Sequence, residues 1–487
     1  MMHINITNDA PKHCGIKRKQ HDTQKIKLSW EQLSVHNFNG EQELCDMITN
    51  QKVNNEKKRK NAEVFTPLKG IRDMVNQLPK NVWTNSKYKW LEPSAGTGNF
   101  MVIIYYMLMD GLKSEFPIDH DRTKHIIENM LYMIELDDEN YLILNQIFCK
   151  DGLKLNVHKS DSLETNLMTT FGVEKFDIII GNPPYNTHME HKCMRTGSLY
   201  DKHIEHFINK SRMLMFVVPS RWFACGAQLE PFKKRMSART DIVKIIHFDK
   251  SCDFFGKCVR IEGGVNYFLK DDQYNGTCNL NGIATKLNTF DIILTKPKFI
   301  DIVNHLSAYS TKLVDILMIN TFGITTNDSR LCNVRQHKEQ IECHVSKRSG
   351  DIKYIDSKHM TKTYAFLKVL TNYANGYYEC FGRFLIADEA QVCSTSYIMF
   401  KVFTLEEAKS LISYLNCKLP NVMLSLRKNT QMVNRSSLEW IPLPPLNKIW
   451  TDKEVYAHYD LNEEQINLME TTELSRAKKS YNFKTKL

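Results

Sequence analysis

The stretch from Phe176 to Tyr185, FDIIIGNPPY, restricts what this chain can fold into more than any other. Phe176, Ile178, Ile179 and Ile180 form an apolar run of strand length, and Gly181 marks the point where the strand breaks. Asn182, Pro183, Pro184 and Tyr185 follow directly. A strand that ends in a proline turn is common, and Asn-Pro alone marks only a turn. The full order of strand, Gly, Asn, Pro, Pro and aromatic is far rarer by chance, and it carries chemistry. An exocyclic amine on a nucleobase or amide is a poor nucleophile, because its lone pair is delocalised into the attached π system. Two acceptors aimed at its protons push the nitrogen toward a tetrahedral form. Asn182 can supply a side-chain carbonyl, and Pro183 a backbone carbonyl with no N–H of its own to compete. Tyr185 supplies a flat face that replaces part of the stacking lost when a base leaves a duplex.

A second stretch, Leu91 to Phe100 (LEPSAGTGNF), has the form of the first βα unit of a nucleotide-binding sheet. Trp90 and Leu91 end a strand, a turn rich in glycine follows, and an apolar helix runs from Phe100 to Leu112. The spacing matches neither GxGxxG nor a P-loop. Glu92 beside the turn repels phosphate but welcomes an ammonium group, a combination that favours S-adenosylmethionine, with its zwitterionic methionine end and cationic sulfonium. Strands are further expected at Met130 to Leu136, with Glu135 near its end, at Leu155 to His158, followed by Asp161, and at Met213 to Val218, Val243 to Phe248 and Gly264 to Leu269. An acid at the end of the second strand commonly accepts hydrogen bonds from ribose hydroxyls. Asp161 is set to bond the cofactor's adenine amino group, although a loop aspartate is more often a turn residue. Phe255, in the loop Asp253 to Gly256, is a ring that could pack opposite Tyr185. Upstream, Glu63 to Pro67 (EVFTP) reads as a helix start, with Thr66 as hydroxyl cap and Pro67 in the first turn, running to about Leu78.

At 487 residues, two or three domains are expected. The predicted organisation is a basic arm over 1–60, an α/β nucleotide-binding domain over 61–285, a second domain of mixed, shorter segments over 286–445 and a helical tail over 446–487. Basic clusters stand at Lys17 to Lys19 and Lys57 to Lys60, and a helix is expected within Trp30 to Ile48. No apolar run approaches membrane-spanning length. The thirteen cysteines show neither CxxC pairing nor metal-ligand spacing, which suits reduced thiols in an intracellular, cytoplasmic protein. A net charge of +10 suits a protein that meets a polyanion. In the later region Lys347, Arg348, Arg427, Lys428 and Arg435 are candidate phosphate contacts, and Asn429, Thr430, Gln431 and Asn434 are available to read base edges.

The order EVFTP, LEPSAGTGNF, an acid ending the next strand, then GNPPY, followed by a large C-terminal region, resembles the gamma class of adenine-N6 DNA methyltransferases. The resemblance covers about residues 60 to 270. It implies an α/β fold, with a doubly wound Rossmann-like methyltransferase sheet and a C-terminal mixed α+β target-recognition domain. It implies that Phe65 and Thr66 border the methionine moiety, that Glu92, Pro93, Ser94, Gly96 and Gly98 form the cofactor loop, that Glu135 holds the ribose and Asp161 the adenine. Asn182 to Tyr185 would hold the target base, with Phe255 against its other face. The implied partner is double-stranded DNA. About 60 residues before the first motif are too few for a nuclease domain of ordinary size, so a restriction endonuclease is expected as a separate chain, if at all. Two other readings stay open: a methyltransferase acting on RNA or protein glutamine, and a non-catalytic DNA-recognition subunit.

Overall fold

Apolar strands alternating with helices build the first half of the chain. A computed structural model describes Val35 and residues 43–44, 65–148, 152–186, 197–224, 228–256, 259–319, 322–345, 351–360, 365–376, 378–428 and 431–475. The basic clusters at 17–19 and 57–60, Glu63, Lys347, Arg348, Asn429, Thr430 and nearly all of the expected helix at 30–48 lie outside those residues. The chain divides into two compact units, one through Ile293 and one from Leu294.

The first unit is organised around a nine-stranded sheet in the order β3-β2-β1-β4-β5-β7-β6-β8-β9. Its strands are β1 (Trp90–Glu92), β2 (Leu131–Glu135), β3 (Asn156–Lys159), β4 (Phe176–Gly181), β5 (Ser211–Pro219), β6 (Ile242–Phe248), β7 (Val265–Asp271), β8 (Cys278–Leu280) and β9 (Ile283–Thr285). The pairs from β3 through β5 are parallel. β7 inserts antiparallel between β5 and β6, and β8 and β9 extend the edge as a hairpin. Those two short strands were not legible in the sequence, because three residues each carry too little periodicity to register.

Before and between the strands run α1 (Leu68–Val75), α2 (Asn99–Gly111), α3 (Asp119–His125), α4 (Asp138–Phe148), α5 (Leu167–Phe171), α6 (Tyr200–Phe207), α7 (Glu230–Ser237) and α8 (Ser251–Phe255). They cover both faces of the sheet. Trp90, Met133 and Ile178 pack with residues of α1, α2, α4 and α8 on one side. Leu91, Tyr132 and Ile179 pack with residues of α5, α6 and α7 on the other. Alternation of neighbouring strand residues between two cores is what a sheet buried on both faces requires. Leu91 and Ile179 are fully buried, each contributing roughly 2 kcal/mol.

One expected helix start is different. Pro67, not Thr66, is the N-cap of α1, and no side chain caps it. Thr66 is buried instead, so its hydroxyl faces the protein interior rather than the first turn.

The second unit has a four-stranded sheet, β10 (Leu317–Met318), β16 (Tyr397–Lys401), β13 (Lys368–Asn372) and β14 (Phe384–Ala387), and a three-stranded one, β12 (Ile352–Asp356), β11 (Gln340–His344) and β15 (Gln391–Cys393). Helices α9 (Ile300–Ser307), α10 (Leu405–Asn416), α11 (Lys418–Arg427), α12 (Arg435–Leu438), α13 (Asp452–His458) and α14 (Glu463–Thr471) complete it. Among the described residues no helix is long and apolar enough to cross a membrane, and no group of His, Cys, Asp and Glu could hold a metal ion.

Several expected DNA contacts are occupied within this unit. The Arg427 side chain is only 1% exposed, donates to Ser436 O at 2.6 Å and to Glu439 Oε2 at 2.7 Å, and lies 4.5 Å from the Trp440 ring. Lys428 Nζ donates to Gly376 O at 2.8 Å. Asn434 caps α12 by accepting from Ser437 N at 3.0 Å. Arg427 and Asn434 bond within the end of α11 and the segment after it, and Lys428 bonds back to Gly376, so each has a partner inside this unit. Arg435 stays exposed. Arg427→Ala is therefore expected to lower unfolding free energy by roughly 2–4 kcal/mol, since it removes charge-assisted hydrogen bonds and a cation–π contact. Denaturant titration of wild type and variant measures this.

Candidate active site

The parallel register brings four strand ends to one edge of the sheet. Leu91 lies opposite Tyr132 of β2 and Ile179 of β4, so Glu92 and Gly181 end side by side. A Cβ built on Gly181 would sit 3.5 Å from Glu92 Cγ. Glu135 pairs with Lys159, which brings Asp161 to the neighbouring position along the edge. The chain passes outward from β1 to β2 and β3, then returns to β4 on the other side of β1. In open α/β sheets, ligands bind in the crevice outside the carboxyl ends of the strands at such a switch point.

Glu135 organises this edge. Its Oε2 accepts from Gly96 N at 2.6 Å, and its Oε1 accepts from Asp137 N at 2.8 Å. Ala95 N donates to Ile134 O at 3.0 Å, so the turn after β1 is held to the end of β2 by backbone and side chain together. Gly98 closes the turn: its N–H donates to Ala95 O at 2.8 Å, and its φ of 84° is the left-handed conformation that favours glycine. Space is also short there, because a Cβ on Gly98 would lie 2.7 Å from Leu144 Cδ2 of α4. Over Gly96 the situation is opposite: an added Cβ would meet nothing within 4 Å. The turn thus packs through Gly98 and opens through Gly96.

Glu92 is 2% exposed, and burial together with the nearby Glu135 charge pushes its carboxyl well above the usual carboxylate range. Pro93 is buried and Ser94 is partly exposed. Phe65 is half-buried at the chain's approach to α1.

At the end of β4, Asn182 is half-buried with a buried Oδ1, Pro183 is buried, and Pro184 is exposed. Tyr185 is half-buried; its ring stands edge-on to Tyr200 at 6.5 Å, and burial drives its hydroxyl pKa far up. Tyr185 O accepts from Leu199 N at 3.1 Å, and Asn186 forms an antiparallel bridge with Ser198. The start of α6 is thereby held against the Asn182–Tyr185 turn.

Some of the buried polar atoms without a hydrogen-bond partner belong to the segments that meet at this edge, Glu92 Oε2, Asn99 Oδ1, Tyr185 Oη, Ser198 Oγ and Asp201 Oδ1, while others, such as Thr66 Oγ1, Asn266 Oδ1 and Thr371 Oγ1, belong to other segments. Buried polar groups are normally paired, each orphan costing roughly 1–3 kcal/mol, so those at this edge point to a ligand's place. Ser198 and Asp201 were not anticipated from the sequence: they carry no motif of their own, and only the folding of α6 against the edge brings them in, whereas Asn99 lies within the LEPSAGTGNF stretch without a role assigned to it there.

Two expected site residues have other partners. Asp161 Oδ1 accepts from Leu163 N at 2.9 Å, forming its own turn. Phe255 is 8% exposed and stands edge-on to Phe254 at 4.8 Å, within the core on the α1 side of the sheet; Tyr185 packs against the border of that same core.

Residues 18–255 match the sequence model of the Eco57I restriction-modification methylase family. An uncharacterized adenine-specific methylase of Mycoplasma pneumoniae is 26% identical over 297 residues, covering 45% of this chain and 70% of that relative. Among solved structures, a nuclease-deletion mutant of the Type ISP restriction-modification enzyme LlaGI, in complex with a DNA substrate mimic, aligns with a TM-score of 0.51 at 13% identity, over 77% of this chain and 46% of that one. A DrdV–DNA complex aligns with a TM-score of 0.50 at 11% identity, over 82% of this chain and 58% of that one. The chain thus spans about half the length of these two solved relatives, and at such identities the likeness is one of fold.

Gly98→Ala is expected to destabilise the first unit by roughly 2–4 kcal/mol, because a left-handed residue gains a Cβ and the Leu144 contact becomes too close. Thermal and denaturant unfolding read this directly.

Proposed function

We propose that this chain, whose residues 18–255 match the Eco57I restriction-modification methylase family model, is an adenine-specific DNA methyltransferase that transfers the methyl group of S-adenosylmethionine to the N6 nitrogen of an adenine swung out of duplex DNA. The observation that carries this reading is the meeting of the glycine turn, the Glu92–Glu135 pair and the Asn182–Tyr185 turn at one switch point, with orphaned buried polar atoms around them. The residues present fit the cofactor. Open space over Gly96 suits close approach of a ligand to the backbone, and Glu92 Oε2 is an acceptor with no donor. Phe65, Thr66, Glu92, Pro93, Ser94, Gly96 and Gly98 would hold the methionine end, and Glu135 and Asp161 the ribose and adenine. Asp161 would do so through the carboxylate oxygen that its turn leaves over. When bound, S-adenosylmethionine supplies an electrophilic methyl group on a sulfonium.

The chain's own residues then act on the target amine. The Asn182 side-chain carbonyl and the Pro183 backbone carbonyl would accept hydrogen bonds from its two N–H groups and draw its lone pair out of conjugation. Tyr185 offers its ring face to the base, and Phe255 would close the other side after moving out of its contact with Phe254. Methyl transfer would be direct: the bond from nitrogen to the methyl carbon forms as the carbon–sulfur bond of the sulfonium breaks, the thioether leaves, and one amine proton passes to solvent, so catalysis would consist of positioning and electrostatics. The unit from Leu294 onward would read the target site on DNA. The proposed partners are double-stranded DNA and a separate restriction endonuclease, in an intracellular setting.

Labelled methyl transfer from S-adenosylmethionine to mixed-sequence duplex DNA tests the proposal. Asn182→Ala should abolish transfer while largely sparing cofactor binding, and near-normal turnover would overturn the role given to Asn182. Tyr185→Phe keeps the ring and should retain transfer within a few-fold. Tyr185→Ala should weaken capture of the target base by roughly 5–150-fold, the worth of one base–aromatic stack, read as a rise in KM for DNA.

A further inference from the structure

Two carboxyl groups share the edge of the sheet, and their surroundings are unequal. Glu135 accepts backbone N–H groups from Gly96 at 2.6 Å and Asp137 at 2.8 Å, with Asn140 Nδ2 at 3.4 Å as a further donor. Glu92 has the backbone N–H of Met101 on one side, while its Oε2 is buried with no partner. Among the described residues, the groups that act on Glu92 include no basic side chain. β2 contributes Glu135, α2 contributes the Met101 amide, and β4 contributes the uncharged Gly181. The charged group that acts on Glu92 is therefore another acid. Two acids so placed do not both ionise readily, and the one with more donors takes the charge.

We propose that Glu135 carries the negative charge, and that Glu92 holds a proton in the free protein and releases it when the ammonium group of a ligand docks against it. This rests on the cofactor reading above. In that exchange the O–H bond of Glu92 breaks, its proton passes to solvent, and the ammonium N–H donates to the carboxylate left behind. The site then discriminates by charge: a ligand with a cationic amino group gains an ion pair, and a neutral analogue leaves the proton where it is. The raised carboxyl pKa of Glu92 agrees with this geometry. The sign follows from linkage: binding that releases a proton strengthens as pH rises, by up to tenfold per pH unit until Glu92 ionises in the free protein as well.

Isothermal titration calorimetry of the full chain tests this, with S-adenosylhomocysteine as a non-reacting ligand, at a pH of about 6.5, where an α-amino group is protonated. Measured in buffers of different ionisation enthalpy, the binding heat should reveal release of about one proton per ligand. 5′-Methylthioadenosine, which lacks the amino-acid end, should bind with heat independent of the buffer. In Glu92→Gln, S-adenosylhomocysteine should bind roughly 10–100-fold more weakly and without proton release, with methylthioadenosine affinity unchanged. Buffer-independent binding of S-adenosylhomocysteine to wild type overturns the proton exchange and leaves the cofactor reading standing. Absence of any binding of S-adenosylhomocysteine to wild type overturns the cofactor reading itself. The wild-type measurement decides between these outcomes whether or not the Gln variant folds.

Discussion

The Glu135 carboxylate is the tie on which the candidate site depends. By accepting from Gly96 and Asp137, it joins the turn after β1 to the start of the helix after β2. A charged acceptor bonded to backbone amides at short distance is stronger than a neutral one, and inside the protein it is poorly screened. That bond sets where the glycine turn stands relative to the end of β2. The Ala95–Ile134 backbone bond does the same from the main chain. With the turn so held, Glu92 is left at the bottom of the crevice, with Gly181 alongside.

Holding the turn in this way has a cost that falls on the remaining polar atoms. Thr66 Oγ1, Glu92 Oε2 and Tyr185 Oη are removed from water without a bond in return. Such orphans are uncommon in a folded protein, where burial and pairing usually go together. The two glycines of the turn differ in the same region, one pressed against Leu144 and the other under open space.

The second unit shows how the same kind of residue can serve opposite ends. Arg427, Lys428 and Asn434 have the composition of a DNA-reading surface, and a polar, basic stretch in sequence is compatible with that role. In the folded unit they are spent on internal bonds, to Ser436 and Glu439, to Gly376 and to a helix cap. Nothing in local sequence distinguishes an arginine that faces solvent from one laid over Trp440, because the partner lies thirteen residues away and the geometry depends on the chain between.

Local sequence determined the strands from Trp90 to Asp271, the helix after the first of them and the two turns at their ends, because each of these rests on short-range rules: apolar runs, glycine in a left-handed turn, proline after a strand; the expected loop at Asp253–Gly256 is instead largely the short helix Ser251–Phe255. Tertiary structure alone decided the rest. It set β7 between β5 and β6, turned Thr66 inward instead of onto its helix, closed Asp161 on its own turn and laid Phe255 against Phe254. It also brought Ser198 and Asp201 to the edge where Glu92 and Asn182 stand. The physical reason is the range of the forces involved: backbone preference and hydrophobic periodicity act over a few residues, whereas burial, charge and hydrogen-bond pairing depend on neighbours that only the completed sheet assembles.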